Sequence, residues 1–276
     1  MTFNDYCINV SKIFSQNKWI SYEFDNTSLE KTMNLGKDLS NEQRDLLVYL
    51  LNKYVQIPPS QYITRILNVL SKIDTNSIKN INKIYIAPLK KPEDFLLPKS
   101  SDYVSYQFKM PVISNSAIFN NREVIITSIN CLPKDLQNSS VKKLFLVDDF
   151  SGSGETVFSC LDYLKQEKQI LGNKITILLL AGMKDSINKI QQKGYEVYCD
   201  LIQEKGISSI IDDIKRNDFT ILMNEIEAKY HIDINSEIHF GYNHSESLIT
   251  LIRTPNNTFP IFWDSTKVKN APFKRN

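Results

Sequence analysis

Three β-rich runs, Leu144 to Val147, Ile175 to Leu180 and Glu196 to Tyr198, are separated by helical patterns over 155–169 and 185–193. Continuous apolar strands joined by connections of helix length require parallel pairing and right-handed crossovers. Two earlier runs, at 83–87 and 123–127, extend the series. The pattern predicts an α/β fold with an open, mostly parallel sheet over 81–205. Gly194 stands where the second of these helices must end.

The flanks read differently. Residues 1–80 predict a helical extension. Ser40 and Gln43 form a capping box ahead of Leu46, Leu47, Leu50 and Leu51, and the Pro58-Pro59 pair breaks that helix. A second helix carries Ile63, Ile66, Leu67 and Leu70 on one face. This extension either packs on the main domain or offers a surface to a protein partner. Residues 206–276 predict helices to about 230, then a segment rich in β-formers and aromatics. That segment holds Phe240-Gly241-Tyr242, the run Leu248 to Ile252, a hairpin turn at Asn256-Asn257, and Phe259 to Trp263 as a final strand.

Composition narrows the class. At 276 residues, with 42% apolar and 23% charged side chains, the chain can bury a sizeable core. A net charge of +2 does not advertise a general nucleic-acid surface. Cys7, Cys131, Cys160 and Cys199 are scattered, with no pattern for zinc or a disulfide framework, which fits a reducing cytoplasm. No secretory leader and no apolar run of about 18 residues is visible, so no membrane association is expected.

The first of the three β-rich runs leads into unusual chemistry: Leu146-Val147-Asp148-Asp149-Phe150-Ser151-Gly152-Ser153-Gly154-Glu155-Thr156. Ligands of open α/β sheets bind at the carboxyl ends of the strands, where Asp148 and Asp149 lie. The loop after them enters a helix N-terminus, whose free N–H groups and dipole favour an anion. Gly152 and Gly154 permit close approach, and Ser151, Ser153 and Thr156 add hydroxyl donors. Such a loop cradles one phosphate monoester, while two carboxylates accept from hydroxyls; a ribose 5-phosphate satisfies both. A Walker A loop is excluded because Glu155 stands where lysine is needed, and a dinucleotide fingerprint because residue 157 is Val. Simple helix capping by Ser and Gly remains the plain alternative.

The same stretch resembles the phosphoribosyl-pyrophosphate signature of type I phosphoribosyltransferases. The resemblance implies that Asp148 and Asp149 bind the ribose hydroxyls and are the catalytic pair. It implies that Ser151, Gly152, Ser153, Gly154, Glu155 and Thr156 hold the 5-phosphate, and that Mg²⁺ arrives with the pyrophosphate. The C-terminal segment is similar to the family's hood, which makes Tyr242, Phe262 and Trp263 base-side candidates. The family's pyrophosphate loop should follow the strand at 83–87. Here Pro88 to Asp94 contains no glycine, leaving Lys90 and Lys91 as pyrophosphate-side candidates. Residues 99–109 stand for the family's mobile loop. Members are often homodimers. The helical preface and the motif's DDFSGSG form resemble phosphoribosyltransferase-like proteins of bacterial anti-phage and retron-type loci. The implied function is transfer of ribose 5-phosphate from phosphoribosyl pyrophosphate, or cleavage of a nucleotide's N-glycosidic bond. The alternative is a non-catalytic nucleotide-sensing module or effector, touching nucleic acid only through a partner.

Overall fold

The computed structural model describes residues 1–19 and 26–275. In chain order come α1 (Phe3–Gln16), α2 (Ser28–Lys37), α3 (Asn41–Lys53), β1 (Val55–Gln56), α4 (Tyr62–Ser71) and β2 (Lys83–Pro88). Next are α5 (Ser100–Gln107), α6 (Pro111–Ser114), β3 (Glu123–Ile126), β4 (Lys142–Ser151), α7 (Glu155–Glu167) and β5 (Ile175–Met183). Last are α8 (Lys184–Gln192), β6 (Glu196–Gln203), α9 (Asp213–Lys229), β7 (Ile249–Thr250) and α10 (Pro260–Trp263). None of the described helices is long and apolar enough to cross a membrane. The chain forms two compact units, one of Ser60–Gln203 and one of Met1–Pro59 with Glu204–Asn276.

The unit of residues 60–203 carries a five-stranded sheet in the order β3-β2-β4-β5-β6, with every neighbouring pair parallel. All five expected strands are present. The chain leaves β2 toward β3 on one side and returns to β4 on the other. The β2/β4 gap is therefore the topological switch point, where open sheets of this kind bind ligands. β5 is buried at all nine positions, as a central parallel strand requires. Leu144 and Leu146 of β4 pack with Val157, Cys160 and Leu161 of α7 on one face. On the other face, Val147 lies with Ile66 and Val69 of α4, with Val104 of α5 and with Phe108, the residue that follows α5. Thus α4, expected with the N-terminal helices, belongs to the sheet-bearing unit.

The other unit joins the two ends of the chain. The capping box forms as expected: Gln43 N–H donates to Ser40 Oγ at 3.2 Å, and Ser40 N–H donates to Gln43 Oε1 at 3.1 Å. Leu46, Leu47, Leu50 and Leu51 are all fully buried. They share a core with Tyr6 and Phe14 of α1, Met223 and Ile226 of α9, and Phe259 and Phe262. α3 stops at Lys53, ahead of the proline pair, because Tyr54 turns extended and leads into β1. β1 then pairs in parallel with β7, Val55 opposite Ile249.

Two expectations for the C-terminal segment fail. Asn256-Asn257 does not turn a hairpin, since Ser247 and Thr258 meet in an isolated parallel bridge. Residues 260–263 are a helical turn rather than a strand, started by Pro260, whose fixed φ suits a first helical position.

Candidate functional site

β4 does not end at the two acids. It runs through them to Ser151, with Asp148 opposite Leu179 and Ser151 opposite Gly182 on β5. On its other side the pairing with β2 stops at Val147, opposite Pro88. Asp148 and Asp149 thus occupy the stretch where β4 has lost one neighbour, at the switch point. Consecutive strand residues face opposite sides of a sheet. Asp148 therefore shares the face of Leu144 and Leu146, toward α7. Asp149 shares that of Val147, toward α4 and α5.

The hydrogen bonds agree with this split. Asp149 is buried; its Oδ2 accepts from the Tyr62 hydroxyl of α4 at 3.0 Å, and its Oδ1 from the Ser100 hydroxyl of α5 at 2.8 Å. Asp148 Oδ1 accepts from the Asp149 N–H at 2.8 Å. Desolvation, with the charge of Asp149 next, pushes the Asp148 carboxyl well above the usual carboxylate range. Asp149 is also raised by desolvation, with the Ser100 and Tyr62 hydroxyls pulling it back. Two neighbouring carboxylates, one buried and one half-buried, resist simultaneous ionisation, and the one with hydroxyl donors keeps its charge more readily. The two acids thus lie on opposite sides of β4, and it is Asp149 that accepts hydroxyls of the chain.

The loop beyond the strand leads into the N-terminus of α7. Gly154 caps α7 at φ +85°, a left-handed conformation that side chains disfavour. The N-cap residue, a glycine, brings no side chain to cap this helix, while the Glu155 N–H donates to Ser153 Oγ at 3.4 Å. The first intrahelical bond runs from Phe158 N–H to the Gly154 carbonyl at 3.0 Å, so the N–H groups of residues 155–157 lie outside the ladder. Ser151 is buried and its hydroxyl meets that of Ser186, on α8, at 2.7 Å. Gly152, Ser153, Glu155 and Thr156 remain partly exposed.

Both lysines after β2 are engaged within the chain. Buried Lys90 donates to the Leu97 carbonyl at 2.8 Å and pairs with Asp102 at 2.6 Å. Lys91 pairs with Glu155, joining the loop after β2 to the first turn of α7. Glu155 thereby gains both the helix dipole and a cation. Residues 99–109, expected as a mobile loop, instead contain α5, and the hydroxyl of its first residue sits on Asp149.

Tyr242, Phe262 and Trp263 belong to the other compact unit. Phe262 is fully buried, edge-on to Tyr54 at 5.2 Å and stacked on Phe273 at 6.1 Å, so its ring serves that core. Trp263 donates Nε1–H to the Thr258 carbonyl at 2.7 Å. Tyr242 is half-buried, and its N–H donates to the Asn256 carbonyl at 2.8 Å. His239 is held by buried Glu227 at 2.7 Å, and Glu227 also accepts from Phe240 N–H, which accounts for that histidine structurally.

Sequence reasoning missed Tyr62, Ser100, Asp102 and Ser186 as neighbours of the acids and their loop. Ser100 and Asp102 lay inside the stretch singled out as a loop. Tyr62 and Ser186 sit in ordinary helical patterns and carry no local signal.

Comparison with known proteins bears on the family. No curated protein matches the chain. Among solved structures, the chain is similar to orotate phosphoribosyltransferase from Aeropyrum pernix at 10% identity, covering 52% of this chain and 70% of that one, with a TM-score of 0.30. A hypothetical protein from Neisseria gonorrhoeae with bound ppGpp is similar at 11% identity, covering 61% and 97%, with a TM-score of 0.37. A hypoxanthine-guanine-xanthine phosphoribosyltransferase is similar at 14% identity, covering 52% and 75%, with a TM-score of 0.32. The PRTase-CE family model matches residues 32–275, nearly the whole chain, and the protein thus belongs to the phosphoribosyltransferase-like PRTase-CE family.

Proposed function

We propose that this protein binds phosphoribosyl pyrophosphate, or a nucleotide with the same ribose 5-phosphate unit, and transfers that unit to an acceptor or cleaves its N-glycosidic bond. One observation carries the reading. A hydroxyl-accepting carboxylate, Asp149, and the N-terminus of α7, opened by Gly154 at φ +85°, follow one another at the switch point of the sheet. Family membership supports it.

In this reading residues 151–156 hold the 5-phosphate through backbone N–H groups and the hydroxyls of Ser151, Ser153 and Thr156. Asp149 accepts from a ribose hydroxyl. Asp148 fixes the Asp149 backbone. As the bond from C1 to the leaving group breaks, positive charge develops on the ribose, and a fixed carboxylate nearby stabilises it without reorganising. Lys91, paired with Glu155 in the first turn of α7, would turn from it toward a pyrophosphate. Among the described residues no three His, Cys, Asp or Glu side chains are grouped to hold a metal. Mg²⁺ would arrive with the pyrophosphate of the ligand, as the resemblance implies.

The test is pyrophosphate release from phosphoribosyl pyrophosphate, with Mg²⁺, across a panel of purine and pyrimidine bases. Release that is lost in Asp149→Asn supports transfer; no release with any base rejects it. A second reading has its own support: Lys90 and Lys91 are both paired inside the chain, which suits a module that senses the ligand without turning it over. The effector of an anti-phage locus, as the resemblance implies, would have that character. Binding of phosphoribosyl pyrophosphate without release would select this reading.

A further inference from the structure

The net charge of +2 conceals a segregation. From residue 253 onward stand five basic side chains, Arg253, Lys267, Lys269, Lys274 and Arg275, against one acid, Asp264. Asp264 is buried, and its Oδ1 accepts from the Thr266 N–H at 3.1 Å and the Thr266 hydroxyl at 2.5 Å, so its charge serves a local turn. Arg253 and the lysines at 267, 269 and 274 are exposed, and Arg275 is half-buried.

Phe273 brings the two arginines to one place. It is buried; its N–H donates to the Phe262 carbonyl at 2.7 Å, and its carbonyl accepts from the Thr254 hydroxyl at 2.7 Å. Residues 253–254, 262–263 and 273–275 therefore meet within one compact unit. The Arg275 guanidinium carbon lies over the Trp263 ring, 5.8 Å from its centroid, and the ring is fixed by its own bond to the Thr258 carbonyl. Among the described residues neither arginine pairs with a carboxylate. Burial, with the charge of Arg253 next, pulls the Arg275 guanidinium down to about 10, which leaves it charged at neutral pH. Like charges held together without a counter-charge favour an anion beside them. A planar guanidinium braced on an aromatic face suits phosphate, which it binds through two N–H groups at once.

We propose that this basic rim binds single-stranded nucleic acid, with successive phosphates on Arg253, Arg275 and the lysines at 267, 269 and 274. One phosphate group would neutralise only part of this charge, whereas a strand brings a row of them. A flexible strand follows an irregular rim made of several segments, and an arginine stacked on an aromatic ring is a feature of such sites. A duplex offers its phosphates only along a stiff rod. The ribose 5-phosphate reading is independent of this one, because Asp149 and residues 151–156 lie in the other unit.

The test is fluorescence anisotropy of a labelled oligodeoxythymidine of about 20 nucleotides, longer than the ~4–16 that one such site occupies. With about five phosphates neutralised, the wild-type affinity is expected to fall about a hundredfold between about 50 and 200 mM salt. Arg253→Gln/Arg275→Gln is expected to bind at least about tenfold more weakly at low salt and to lose only about twentyfold over the same range, because two of those contacts are gone. Arg253→Glu, at an exposed position, is expected to weaken binding by itself without disturbing the fold. Lys165→Gln/Lys189→Gln removes the same charge from the other unit and is expected to bind like the wild type. No binding of the strand overturns the proposal. So does a double arginine variant, or Arg253→Glu, that binds like the wild type, or an equal loss in Lys165→Gln/Lys189→Gln. Binding of a duplex of the same sequence length, or of phosphatidylserine vesicles, that matches or exceeds binding of the strand also overturns it.

Discussion

Replacing Gly154 by alanine tests the cradle, and the fold supplies its own control at Gly194. Gly154 has φ +85° and Gly194 φ +80°, so alanine meets the same backbone penalty at both. Left-handed backbone costs an L-residue about 1–2 kcal/mol, offset by about 0.4–1 kcal/mol from the stiffer unfolded chain. The net is a loss of about 1 kcal/mol. At Gly194 a Cβ would meet nothing within 4 Å, so that is the whole effect. At Gly154 it would stand 3.1 Å from Ser186 Oγ and 3.2 Å from Phe158 Cε2. Both are side-chain atoms and yield, but the Ser186 hydroxyl is bonded to Ser151 at 2.7 Å. Disturbing that bond adds up to about 1 kcal/mol. Urea unfolding of both variants should show Gly154→Ala losing about 1–2 kcal/mol and Gly194→Ala about 1 kcal/mol. Titration with ribose 5-phosphate should show weakened binding only for Gly154→Ala, because only that turn aims N–H groups at the phosphate. Equal loss of binding in both variants, or no loss in Gly154→Ala, would refute the cradle.

The acid pair predicts a pH dependence. Asp148 is raised by burial and by Asp149, so the folded state keeps a proton that the unfolded chain has released. Stability from this group is therefore full below the unfolded carboxylate value near ~4, and it falls as pH rises toward the elevated folded value, by up to about 1.4 kcal/mol per pH unit. Asp148→Asn should flatten that fall, being more stable than the wild type at pH 8 and no more stable at pH 4; a parallel offset at both pH values would contradict it. Tyr62→Phe should cost about 1–3 kcal/mol in urea unfolding, because Asp149 loses a donor in a buried setting. An unchanged midpoint would mean that water replaces the hydroxyl. Glu155→Gln should tighten phosphate binding about fivefold, the effect of one unit charge at ~4 Å in water, by removing an anion from the cradle and releasing Lys91. Weaker binding would show that Glu155 itself organises the turn.

The sheet was legible because its signals are local. Continuous apolar runs, helix-length spacers and Gly194 at a helix end specify five parallel strands without knowledge of their partners. The acids and the glycine loop were legible for the same reason. Pairing across the chain was not. Nothing near Val55 announces Ile249, and nothing near Tyr62 or Ser100 announces Asp149, because a hydroxyl on a helix looks alike whether it meets water or a carboxylate. The strand limit was misplaced because β4 continues past its apolar run: pairing with β5 persists to Ser151, although Asp148 and Asp149 disfavour a strand interior. That mismatch between local preference and pairing falls at the candidate site, where such departures are expected. The segment 260–263 misled through its aromatics, which favour strands, while Pro260 at a first helical position marked the turn that forms.

The most direct test of the central claim is calorimetric titration of phosphoribosyl pyrophosphate, with and without Mg²⁺, into the wild type and the Asp148→Asn/Asp149→Asn double variant. The account predicts binding to the wild type that is strengthened by Mg²⁺ and lost in the folded double variant. Equal binding by both proteins, or none by the wild type, would contradict it.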